Sequence, residues 1–306
     1  SSSPAVGGHR RAVPSMRLVA VARCAALWAA LGAAVPIAAQ GREVQVYRAD
    51  EPEGRLLAYY AAAMIYSSLG AVVPGHRMSL GVEATWIPPL SASRRRPGID
   101  KPETTNLSPV LPRPRVVVRT AAAVIEGSWV PPSRVADAGA NLVSGAVSRT
   151  LVTWRGIAIS PRISAVTGWV EGAITCNAAT AASGPPELAT YYAAVCHGND
   201  SNDRFEPRLA AGELIASRAL STAGTLVWLA AGGRVDRSRF DIGVMRDDGT
   251  RDTDHPILRL RASRPHVAAG ARWRVGSRMT VAGEWFYAPG SVATLRALVG
   301  VGAGER

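Results

Sequence analysis

The chain has 306 residues, 47% of them hydrophobic but only 6% aromatic, and a formal net charge of +12. That composition is too apolar for a disordered chain and long enough for one large domain. Lys101 is the only lysine among the 35 basic residues, and the arginines are scattered without a recognition motif, so no nucleic-acid partner is expected.

Met16 is followed by Arg17 and Arg23, an apolar stretch from Cys24 to Ile37, and a small-residue end at Ala38, Ala39 and Gln40. This is the layout of a secretory signal peptide, and its apolar core is shorter than the ~20 residues of a transmembrane helix. Residues 1–40 therefore read as a signal peptide with an upstream extension, and the mature chain starts near Gln40 or Gly41. Cys24 stands behind Arg23 rather than after a small-residue lipobox, so it does not read as a lipidation site. In the segment 41–76, Leu56, Tyr59, Tyr60, Ala63, Met64 and Ser67 recur at helical spacing and predict a short helix.

From residue 77 the period changes to two. Met78, Leu80, Val82, Ala84 and Trp86 alternate with Ser79, Gly81, Glu83 and Thr85, and the same pattern recurs to Ala293, Leu295, Ala297, Val299 and Val301. Ten strands are predicted, at about 77–87, 111–119, 123–130, 141–151, 156–170, 208–220, 225–245, 257–275, 278–288 and 291–302. Segments of about ten residues are longer than the usual strand of a soluble sandwich and match a tilted membrane span. Tight turns are expected near Thr120 to Ala122, Leu151 to Arg155, Ser221 to Gly224 and Gly276 to Ser277. Long polar or proline-rich connections are expected at 88–112, 131–140, 171–207 and 246–256, so that short and long connections alternate strictly.

An exported chain of alternating ten-residue segments, with Trp or Tyr at strand ends and alternating loop lengths, resembles a bacterial outer-membrane β-barrel protein over residues 77–306. The resemblance is porin-like in architecture and matches no single named family. It implies an all-β fold, a transmembrane antiparallel up-and-down barrel of about ten strands with both termini in the periplasm. It also implies partners in outer-membrane lipid, lipopolysaccharide and the barrel-assembly machinery. If Glu43 to Arg48 and Leu56 to Ser67 were strands, the count would be twelve; otherwise 41–76 is a segment whose helix lies in the periplasm or caps the lumen.

Two phrases repeat within this pattern, "VEATWIPPL" at 82–90 and "IEGSWVPPS" at 125–133. In each, Trp (Trp86, Trp129) falls on one face as part of an aromatic girdle, joined by Trp273, Trp285 and Tyr287. The Glu falls on the other face, and Pro88, Pro89, Pro131 and Pro132 end the ladder because proline cannot donate to it. The lumen is thus expected to be lined by Glu83, Glu126, Glu213 and Glu284 facing Arg115, Arg119, Arg162, Arg272, Arg274 and Arg296. Opposite charges across a ten-stranded lumen should pair and largely fill it.

Cys176 and Cys196 form an even pair in an exported chain and predict a disulfide across an external loop. The rival reading, a metal held with His197 and Asp200, lacks the spacing of a metal motif. Proteolysis of the omptin kind would need Asp252, Asp254 and His255 to converge, yet Asp254 and His255 are adjacent and would face opposite ways on a strand. Acyl hydrolysis would need a Ser with a His base, and none of the five His falls in a nucleophile motif. The loops "HGNDSND" and "RDDGTRDTD" offer oxygen ligands without the spacing of a calcium loop. No motif calls for a cofactor. The sequence reads as a non-enzymatic outer-membrane barrel whose function lies in its external loops, with a narrow, weakly anion-preferring small-solute channel as the alternative.

Overall fold

The computed structural model describes residues 42–71, 77–91, 94, 109–135, 138–220, 224–252 and 254–303. The expected signal peptide and most of the 88–112 connection lie outside the described residues. In chain order the elements are β1 (Val44–Tyr47), α1 (Pro52–Ala63), β2 (Met78–Trp86), β3 (Val110–Arg119), β4 (Val124–Val135), β5 (Ala138–Ser148) and β6 (Val152–Trp154). Then follow β7 (Ile157–Gly172), α2 (Ala178–Ser183), α3 (Pro186–Ala194), β8 (Asp203–Glu206), β9 (Arg208–Ala219), β10 (Leu226–Asp236) and β11 (Arg239–Asp241). The chain closes with β12 (Ile257–Leu260), β13 (Ala262–Val275), β14 (Met279–Ala288) and β15 (Val292–Ala303).

Ten of these strands make a closed antiparallel barrel in the order β2-β3-β4-β5-β7-β9-β10-β13-β14-β15, with β15 pairing back onto β2 from Leu295↔Trp86 to Ala303↔Met78. The period-two pattern gives the closed sheet two unlike faces. Along β15, Val292, Thr294, Arg296 and Leu298 are buried, while Ala293, Leu295, Ala297 and Val299 are exposed. The exposed set around the barrel is apolar, including Leu80, Val82, Ile163, Leu214 and Leu229.

One end of the barrel is tied by short turns. Thr120 Oγ1 accepts from the amides of Ala122 and Ala123 between β3 and β4. Arg155 and Gly156 both take positive φ between β6 and β7, as a two-residue hairpin of matching twist requires. Gly276, with φ +66°, turns β13 into β14.

The other end carries the long connections, and here several expectations are corrected. Residues 131–140 are not a loop: β4 runs on to Val135 and β5 starts at Ala138. Pro131 and Pro132 interrupt the ladder without ending it, because pairing shifts register between Val130 and Ser133 and then resumes as a bulge. At the first phrase β2 does stop, at Trp86. The β14–β15 connection is only Pro289, Gly290 and Ser291, so loop lengths do not alternate strictly.

The predicted strands 225–245 and 257–275 are each broken near the barrel's rim. The rim pieces β8, β11 and β12, with β1 lying parallel to β12, form a small sheet that continues from the end of β7. The twelve-strand alternative fails for the same reason: β1 joins this rim sheet, and most of 56–67 is the helix α1. One seam of the barrel is thin. Prolines at 112 and 114 remove two donors from β3, and its ladder to β4 covers only Val116–Arg119 against Gly127–Val124.

Candidate functional site in the barrel lumen

The chain enters at the long-loop end. Arg42 donates to the carbonyls of His255 and Ile242 and pairs with Asp241, and β1 is held by β12. From there α1 turns inward, and every residue from Leu57 to Leu69 is buried. Ala71 lies among residues near the short turns, and β2 begins at that same end. The described N-terminal segment therefore runs through the barrel from one end to the other. The barrel's own first and last strands begin and finish together at the short-turn end, as an even strand number requires, while Arg42 is held at the opposite end.

What holds the segment is a belt of buried charges. Arg115 on β3 reaches Glu83 on β2 at 3.3 Å and Glu126 on β4 at 3.2 Å. Arg162 on β7 reaches Glu126 at 2.8 Å and Glu213 on β9 at 2.6 Å, and His266 on β13 stands 3.2 Å from Glu213. Glu284 and Arg296, on the adjacent strands β14 and β15, lie 3.6 Å apart. The repeated phrase has a use here: β2 and β4 flank β3, so each copy supplies one carboxylate to Arg115.

The belt is bonded as much to the threaded segment as to itself. Arg113 donates to the carbonyl of Met64 at 2.9 Å, and Arg115 and Arg162 each donate to that of Ser67 at 2.7 Å. Met64 is the C-cap of α1, where the helix leaves acceptors unsatisfied and its dipole favours cations, and Ser67 stands beyond it, just before a short 3-10 turn at Ser68–Gly70. Ser67 donates to Glu83 at 3.0 Å, and Ser68 donates to Glu284. The ring of Tyr66 lies among three guanidinium groups, 4.1 Å from that of Arg115, 5.3 Å from Arg162 and 5.7 Å from Arg113. Such contacts add about 1–2 kcal/mol each when dry.

Of the ten residues expected in the lumen, Glu83, Glu126, Glu284, Arg115, Arg162, Arg272 and Arg296 are buried and Glu213 nearly so. Arg119 is half-buried near the short turns, and Arg274 is exposed there, outside the packed lumen. Sequence reasoning missed Arg113, Tyr66, Ser67 and Ser68. Arg113 was within reach, since it stands two residues before Arg115 and shares its face.

Trp86, Trp129, Trp285 and Tyr287 are exposed on the outer face toward the long-loop end, and Trp273 is exposed toward the short turns. Trp285 and Tyr287 stack at 5.7 Å. Trp228 and Phe286 differ from these outward aromatics in being buried: Trp228 lies over Gly270, where any Cβ would lie 2.1 Å from the indole ring, and Phe286 lies 4.2 Å from the guanidinium of Arg296.

Comparisons with known proteins add the following. The sequence matches no protein-family model and no curated protein. It is similar in structure to the attachment invasion locus protein Ail of Yersinia pestis, at 7% identity and a TM-score of 0.25, over 75% of this chain and 98% of that one. It is likewise similar to the toluene transporter TodX of Pseudomonas putida, at 9% identity and a TM-score of 0.30, over 87% of this chain and 78% of that one. A third is the outer membrane protein Omp33 of Acinetobacter baumannii, at 6% identity and a TM-score of 0.29, over 76% of this chain and 100% of that one. These are outer-membrane β-barrel proteins. What defines the barrel of this chain is its own strand pairing, closed from β2 round to β15.

Above the lumen the long loops pack into a cap. Cys176 and Cys196 are joined by a disulfide, with Cα atoms 5.7 Å apart, and are buried with Val244 beside Tyr191 and Tyr192. Buried Asp203 ties this loop to the next: it accepts from the amides of Ile174, Thr175 and Gly243 and from the hydroxyl of Ser201. In the loop considered for protease chemistry, Asp252 accepts from Arg246 at 2.8 Å and His255 lies 3.7 Å from Asp252. These contacts brace the turn.

Proposed function

We propose that this chain is a non-enzymatic protein of the bacterial outer membrane whose barrel is closed in this state and whose function resides in the capped long-loop end. The observation that carries this reading is the burial of residues 57–69 inside a ten-stranded barrel, bonded there by Arg113, Arg115 and Arg162. A barrel only slightly wider than the eight-stranded kind leaves room for one such helix and its side chains. The apolar outer face with aromatics at both ends fits a lipid bilayer, with lipopolysaccharide and phospholipid as neighbours after export and insertion by the barrel-assembly machinery.

A second reading is a narrow, weakly anion-preferring channel, favoured by the arginines of the short-turn mouth. Recording from the purified chain in a planar bilayer separates the two. The closed barrel predicts a silent membrane, small anion-selective events support the channel, and large stable porin-like steps contradict both.

A further inference from the structure

The outward face of the barrel changes character at its long-loop edge. Arg208 on β9, Arg237 at the end of β10 and Arg261 just before β13 are all exposed there, in one row across three neighbouring strands. The amide of Arg237 donates to the carbonyl of Arg208 at 3.0 Å, and Arg261 lies one step beyond the Asp236↔Ala262 pair. Thr167 of β7, also exposed, stands opposite Arg208 and extends the row by a hydroxyl. With strands about 4.8 Å apart, the three arginine backbones span about 10 Å.

The row borders the apolar band. Arg261 precedes Trp273, the outward aromatic near the short turns, by twelve residues, and the outward positions between them are the uncharged Ser263, Pro265, Val267, Ala269 and Ala271. At the rise and tilt of barrel strands this is about 30 Å of height, against an apolar band about 25 Å tall. Below the row Gly212 and Gly233 are paired on the same outward face, and a Cβ built at Gly212 would meet no atom within 4 Å.

We infer that Arg208, Arg237 and Arg261 bind the phosphate groups of the bisphosphorylated lipid anchor of lipopolysaccharide. Like charges facing one another across a ladder destabilise it, so the row needs an anion. The protein supplies little of one. Glu206 lies 3.8 Å from Arg208 but accepts from Arg204 at 3.0 Å, and Arg237 and Arg261 pair with no carboxylate among the described residues. Guanidinium forks suit phosphate oxygens, and at the edge of the apolar band the anions within reach are lipid headgroups. A row about 10 Å long fits a headgroup with more than one phosphate, and the long loops of such barrels face the outer leaflet. The inference rests on the outer-membrane reading above and deepens it by naming the contact.

The test is calorimetric titration of the full chain in neutral detergent with micelles doped with bisphosphorylated lipid A, dephosphorylated lipid A or phosphatidylglycerol. The bisphosphorylated lipid should bind the wild-type chain at least about tenfold more tightly than either of the others. Arg208→Gln, Arg237→Gln and Arg261→Gln together should abolish that preference. Arg218→Gln, exposed on the same face at the short-turn end, should bind as wild type. Should the triple variant fail to fold, Arg237→Gln alone serves, with an expected loss of about threefold for one exposed charge contact. Equal binding of the dephosphorylated lipid, a preference for phosphatidylglycerol, or an undiminished preference after the arginine substitutions would overturn the inference. Density-gradient fractionation of expressing cells checks the outer-membrane reading separately. A chain found in the outer membrane whose titration fails refutes the phosphate row alone, and a chain found elsewhere refutes both.

Discussion

Arg115 of β3 donates to the backbone carbonyl of Ser67 at 2.7 Å, and this bond joins the wall of the barrel to the segment threaded through it. The same guanidinium also serves Glu83 and Glu126. One side chain thus couples three neighbouring strands to the plug, in a place where water does not compete.

Removing that side chain should be costly. Arg115→Met leaves Glu83 buried without the cation it contacts and Glu126 with Arg162 alone, and breaking such a buried pair costs about 3–5 kcal/mol. Urea unfolding in detergent micelles should show a loss of that size. Adding Glu83→Gln should recover part of it, because Glu83 loses the cation it contacts whereas Glu126 keeps its pair with Arg162 at 2.8 Å. A loss below about 1 kcal/mol would mean that the belt is hydrated rather than dry.

The disulfide should act locally. In the chain-entropy model a bridge across a sequence separation of 20 residues stabilises its loop by about 3 kcal/mol. Cys176→Ser with Cys196→Ser should make residues 173–207 sensitive to limited proteolysis while the far-ultraviolet signature of the strands stays in place. Concerted loss of the whole barrel signal would show that the cap and the barrel fold as one unit.

The ten strands were legible because each has an apolar outer face and a polar inner one, a period-two signal that locates the strands but not every end, since 225–245 and 257–275 break near the rim and the strand expected to end at 130 runs on to Val135. The two prolines in the second phrase misled, since proline signals a ladder's end and does not reveal that Ser133 and Arg134 rejoin it. The helix α1 was legible as a helix but not its place. Its amphipathic spacing suggested a surface or capping helix, yet Leu57 to Ala63 are buried on every side. The absence of charge from "LLAYYAAAMIYSSL" was the available signal, because a helix that can be enclosed on every side carries no charged stripe. That Arg115 would meet Ser67 depends on a contact between residues 48 apart, which no local pattern encodes.

Acidity should loosen one loop before anything else. Hydrogen bonding from the Asp254 amide, and then the Arg246 guanidinium, hold the Asp252 carboxyl below the usual carboxylate range. A carboxylate depressed in the folded chain contributes stability that is fully present above the unfolded value near pH 4 and is lost as pH falls through the lower folded value. Amide hydrogen exchange at Asp254 should therefore keep constant protection, after correction for the intrinsic rate, from pH 8 to 5, and lose it below about pH 4. Loss of protection between pH 8 and 6 would assign control of this loop to another group.

Cysteine labelling at Ser67 tests the threaded lumen most directly. In a folded Ser67→Cys chain with the native disulfide intact, a water-soluble thiol reagent added from either side should react at least a hundredfold more slowly than with the unfolded chain. Protection is expected because Ser67 is buried between Glu83, Arg115 and Arg162. Labelling of the folded protein at the rate of an exposed thiol would contradict it, and would place the N-terminal segment outside the barrel.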